Sequence, residues 1–68
     1  MMPEFEIGGL VSTEYFGIGL LLHIYDHETG ERASVADAST KLLCGEVEVA
    51  GQVRSLFLHE LEPVIAYS

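Results

Sequence analysis

Three histidines, one cysteine and several closely spaced carboxylates are the residues of this 68-residue chain whose types could do chemistry. His23 and His27 stand four apart, with Asp26, Glu28, Cys44, His59 and Glu60 available as co-ligands. On a helix that spacing would bring both imidazoles to one metal ion, whereas on an extended strand they stand about 13 Å apart, too far to share it. His23 lies in a segment that reads as a strand, so a shared ion would require a bend or a second chain. His23, His27 and His59 are therefore the candidate ligands of an alternative reading, a small metal- or ligand-binding domain. Two unrelated histidines beside a turn is the simpler account, and the sequence implies no cofactor.

Catalytic patterns are missing from the sequence. A single cysteine cannot close an intrachain disulfide, and Cys44 follows Leu42-Leu43 in an apolar setting that favours packing over nucleophilic attack. No Gly-x-Ser-x-Gly elbow is present. Gly17-Ile18-Gly19 lacks the third glycine of a dinucleotide fingerprint, because position 22 is leucine. The expectation is a non-catalytic protein.

The carboxylates raise another possibility. Glu46 and Glu48 alternate with Val47 and Val49, so on a strand they project from one face about 6.6 Å apart, and Glu60 and Glu62 repeat the spacing. Such rows suit an acidic inhibitor, viral for instance, that mimics a nucleic-acid backbone in the basic groove of a nucleic-acid-handling protein. A solvated strand face is the plainer reading. Eleven acidic residues stand against Arg32, Lys41 and Arg54, giving a formal net charge of −8. A field of that sign repels phosphate, so direct nucleic-acid binding is not expected, and a protein partner steered by charge would be basic.

The elements that must position these residues are short strands. Glu4 to Val11 reads as a first strand interrupted by a bend at Gly8-Gly9, with Ser12-Thr13-Glu14 as a connection. Phe16 to Tyr25 is uniformly apolar, as in a strand that is central or covered on both sides. In Tyr25 to Arg32, Gly30 can take the positive φ of a reversal while Asp26 and Thr29 bond nearby backbone, which predicts a hairpin. Ser34 and Asp37 are spaced as a capping box and Gly45 as a stop, consistent with one short helix near 34–44. Leu42 to Val49 alternates as a half-buried strand, Ala50-Gly51 reads as a turn, and Gln52 to Leu61 returns, with a helix as the competing reading. Val64 to Tyr67 reads as a short terminal strand opened by Pro63.

These elements predict a single domain over 1–68, mainly β: a small, strongly curved antiparallel sheet or barrel of about five strands, with α+β as the alternative. A core this small is marginal alone, and Phe5, Tyr15, Phe16, Phe57, Tyr67 and the Leu20–Leu22 run exceed what it covers. The function expected is a protein-binding or structural-interaction module that self-associates, with Glu46, Glu48, Glu60, Glu62, Phe57 and Tyr67 as partner-binding residues. The longest apolar run spans about half of what a membrane helix needs, and the acidic Met1–Glu6 segment is unlike a secretory signal. A cytoplasmic location follows as the expectation, in the host cell if the protein is viral, with no membrane partner.

Overall fold

The computed structural model describes residues 5–64. Five strands form one antiparallel sheet: β1 (Leu10–Thr13), β2 (Gly17–Asp26), β3 (Leu43–Val49), β4 (Gln52–Phe57) and β5 (Leu61–Pro63). Their order is β4-β3-β2-β1-β5, so the last strand returns to pair with the first. The expectation of a mainly β domain built on a curved five-stranded sheet holds. Among the described residues the only helical elements are two 3₁₀ turns, Val35–Ser39 and Leu58–Glu60.

The connection from β4 to β5 requires the curvature. These strands are the two edges of the sheet, yet only Leu58–Glu60 lies between them. In a flat sheet they would be four strand spacings apart, about 19 Å. From Phe57 to Leu61 an extended chain reaches at most about 14 Å. The sheet must therefore curl until its edges approach, which it does without β4 and β5 pairing.

Strand β2 carries the bend. Gly17–Leu20 pair with β1, Leu20–Asp26 pair with β3, and the register shifts between Leu21 and His23. The extra residue reverses the alternation: Gly19 and Leu21 face inward before it, Ile24 and Asp26 after it. A one-residue slip exchanges the faces of a strand, and the bulge confines that exchange to half of β2. The apolar run from Phe16 to Tyr25 is thus two half-strands with opposite phase. It is central, as expected, and its outer face stays open, with Ile18 exposed.

Val11, Leu21, Ile24, Leu43, Val47, Leu58 and Leu61 form the core, with Phe5, Val35, Val49 and Leu56 packed around it. Two inward positions are glycine because the curl leaves no room. A Cβ on Gly19 would lie 2.6 Å from Val47 Cγ1 and from Val49 Cγ2, and one on Gly45 would lie 2.9 Å from Leu21 Cδ1.

Local expectations are met at several turns. Gly9 N–H donates to Glu6 O and Gly8 N–H to Leu21 O, which makes Gly8-Gly9 a bend, but β1 starts only at Leu10, so Phe5–Ile7 do not form the expected first half of a strand. Asp26 Oδ1 accepts from Glu28 N–H, Thr29 Oγ1 accepts from Glu31 N–H, and Gly30 has φ 75°. The return of that hairpin is a single bridge, Tyr25 to Arg32. Ser34 N–H donates to Asp37 Oδ2 at 3.1 Å, so the predicted cap exists, but the helix it opens is one 3₁₀ turn.

Three readings are corrected. Ser12 and Thr13 belong to β1, not to the connection, because Thr13 Oγ1 accepts from Phe16 N–H and places the turn at Glu14–Phe16. The strand after Ala50-Gly51 ends at Phe57 and does not continue to Leu61, since Leu58–Glu60 turn toward β5. Pro63 closes the last described strand and does not open it; of the predicted strand from Val64 to Tyr67, only Val64 is described, and Tyr67 lies outside the described residues.

Candidate functional site

The chemistry-bearing residues gather on the outer face of β2, β3 and β4, where the strand alternation turns them away from the core. The register aligns His23 with Glu46 and Glu46 with Ser55, and Tyr25 with Cys44 and Cys44 with Phe57. His23 Nε2 lies 3.5 Å from Glu46 Oε1, both side chains about one-third exposed. Tyr25 Oη and Ser55 Oγ are hydrogen-bonded over the top of β3. His27 continues the line past the end of β2, its Nδ1 3.6 Å from Cys44 Sγ. Phe57 sits between two imidazoles, edge-on to His27 at 5.1 Å and stacked with His59 at 5.5 Å.

The three histidines expected as one ligand set therefore have separate engagements: His23 with Glu46, His27 with Cys44, His59 with Phe57. Among the described residues no group of three or more His, Cys, Asp or Glu side chains is placed to hold a metal ion. The thiol–imidazole pair is a juxtaposition that sequence reasoning missed, and only the β2–β3 register creates it. Cys44 is buried beneath the exposed His27 and the half-buried Phe57.

Glu46 and Glu48 do share the outer face of β3. Glu60 and Glu62 do not repeat that arrangement, because Glu60 ends a 3₁₀ turn and Glu62 sits mid-way along β5. A shallow polar hollow of about 410 Å³ beside them is lined by Ser12, Thr13, Glu14, His59, Glu60 and Glu62.

A second feature of this face is apolar. Leu10 pairs with Leu20, Leu20 with Glu48, and Glu48 with Val53, while Val64 N–H donates to Leu10 O. These five residues form one lateral row across the whole sheet, from the β5 end to β4. Leu10 and Val53 are 52% and 55% exposed, and Ile18, next to the row on β2, is 58% exposed. Sequence inspection does not find this row, since its members come from four strands and the margin of a fifth.

Fold and surface together define a class: a small, curled, antiparallel five-stranded domain whose outer face combines an apolar row with an acidic centre. Comparison with protein-family models, with curated proteins and with solved structures finds no match. Among the described residues, no helix is long and apolar enough to cross a membrane.

Proposed function

We propose that this chain is a non-catalytic protein-interaction module whose contact surface is the outer face of the sheet. Its partner presents an apolar segment carrying a lysine or arginine. The observation that carries this reading is the row Val64, Leu10, Leu20, Glu48, Val53. Contiguous exposed apolar residues rimmed by polar ones mark an interaction site more often than a bare surface. Glu48 sets the chemistry of the partner. It lies between Leu20 and Val53 with no cation in ion-pair range among the described residues. Covering it with an apolar surface alone would strand a charge, which costs several kcal/mol, so the covering surface must bring a cation. A net charge of −8 would draw such a partner in.

The acidic-mimic alternative has less support, since His23 engages Glu46 and Glu60 and Glu62 lie on different elements. The metal-binding alternative has less as well, given the three separate histidine engagements.

Affinity capture from the host cell tests the proposal, comparing the native chain with Leu10→Glu and Glu48→Lys variants. Both substitutions alter exposed outer-face positions and leave the core intact. Proteins retained by the native chain should be lost with each variant and weakened by added salt. Retention of the same proteins by all three chains would reject the outer face as the contact surface.

A further inference from the structure

We infer that this chain forms a two-fold dimer by pairing β4 with β4 of a second copy, centred on Ser55, independently of the partner face. The inference rests on which backbone groups each sheet edge has left to offer.

Among the described residues, edge β5 offers no amide donor. Val64 N–H bonds to Leu10 O, so the alternation of an antiparallel ladder turns Leu61 and Pro63 toward the free side. Leu61 N–H is already taken by Leu58 O, and proline has no N–H. Glu62 adds a charge to the same short strand. These are devices that keep an edge from recruiting another strand.

Edge β4 is the opposite case. Ala50 and Gly51 have φ 52° and 82°, the signature of a two-residue type I′ turn. Such a turn makes Val49 and Gln52 a hydrogen-bonded pair, so Arg54 and Leu56 also bond inward to β3. Val53 and Ser55 consequently direct both their N–H and C=O groups to the free side, and Phe57 its N–H, its C=O being the first acceptor of the Leu58–Glu60 turn. The strand carries no proline and no acid in a chain with eleven acidic residues. It is the one edge where two copies can meet without opposing carboxylates.

Charge and ladder length select the register. Residues facing one another across antiparallel strands share a face, so a symmetric pairing centres on a residue. Centring on Arg54 places two guanidinium groups directly opposite, which is destabilising. Centring on Ser55 opposes Ser55 to Ser55, Val53 to Phe57 and Arg54 to Leu56 of the second copy. All three outward residues then pair, giving about four hydrogen bonds.

Sedimentation of the full chain from about 10 µM to about 1 mM reads the equilibrium, since a ladder this short belongs among the smaller interfaces. The expected result is a monomer–dimer transition that tightens severalfold as salt screens the −8 charge of each copy. Ser55→Pro removes an outward N–H without touching the β3 ladder and should leave a monomer. Ser55→Ala loses the same hydroxyl bond to Tyr25 and should still dimerise. Under oxidation Ser55→Cys should cross-link to itself, because facing positions lie within disulfide reach, and Val53→Cys should not. A monomer throughout the series, assembly larger than a dimer, an unaffected Ser55→Pro chain, or cross-linking through Val53→Cys would each overturn the proposal. A native chain that stays monomeric yet still captures its partners would reject this inference alone.

Discussion

Gly19 and Val47 meet inside the curl so closely that an added Cβ on Gly19 would stand 2.6 Å from Val47 Cγ1 and 2.7 Å from the backbone oxygen of Glu48. The second neighbour is the more demanding, because a carbonyl in a paired strand cannot rotate away. Gly45 is crowded differently: its nearest neighbours are the tips of Leu21 and Leu61, at 2.9 and 3.2 Å. The crowding at both positions is what permits so tight a sheet.

Gly19→Ala should therefore destabilise the domain by about 2–3 kcal/mol, and Gly45→Ala by about 1 kcal/mol, where leucine tips can yield. Urea unfolding of the two variants measures the order. A reversed order would mean that the curvature is relieved elsewhere.

The β3–β4 turn holds Ala50 at φ 52°, a conformation that costs an alanine about 1–2 kcal/mol and an asparagine less. Ala50→Asn, which creates the preferred Asn-Gly pair, should raise stability by about 0.5–1 kcal/mol. An unchanged or lowered thermal midpoint would contradict the type I′ assignment.

For the His23–Glu46 pair, cross-strand geometry is good but both side chains are about one-third exposed. Solvent screening keeps such a pair small. A double-mutant cycle with His23→Ala and Glu46→Gln should return a coupling below about 1 kcal/mol. Coupling well above that would assign the pair a structural role that its exposure does not suggest.

Cys44 is buried under His27 and Phe57. In the folded protein at neutral pH, a thiol reagent should label it at least about tenfold more slowly than in urea. Equally rapid labelling would reopen the case for a reactive thiol.

Much of the fold could be read directly along the chain. Alternation of Glu46, Val47, Glu48 and Val49 marks β3, Ala50-Gly51 marks the tightest turn, and the Asp26, Thr29 and Gly30 signals mark the reversal after β2. The phase change in β2 could not be read, because every residue from Leu20 to Leu22 is leucine and periodicity has no contrast there. Ser12 and Thr13 were mistaken for a connection since short hydroxylated residues serve strands and turns alike. Of the surface, the sequence yields Glu46 and Glu48 on one face, a matter of period two. It cannot yield the pairing of Leu10 with Leu20, of Glu48 with Val53, or the meeting of His27 with Cys44. Those depend on register, which joins residues that no local pattern links.

The return of β5 to β1 also orders events in time. Thr13 and Leu61 are register partners across most of the chain, and Val11 waits on Pro63. Until Leu61–Pro63 has left the ribosome, β1 has one bare edge and the core lacks Leu58 and Leu61. Local hairpins can form early, but closure of the curl waits on Leu61–Pro63, and long-range pairing of this kind folds slowly. The nascent domain thus displays its apolar interior longest at β1, the first of the five strands to emerge, so the demand for chaperone protection falls there.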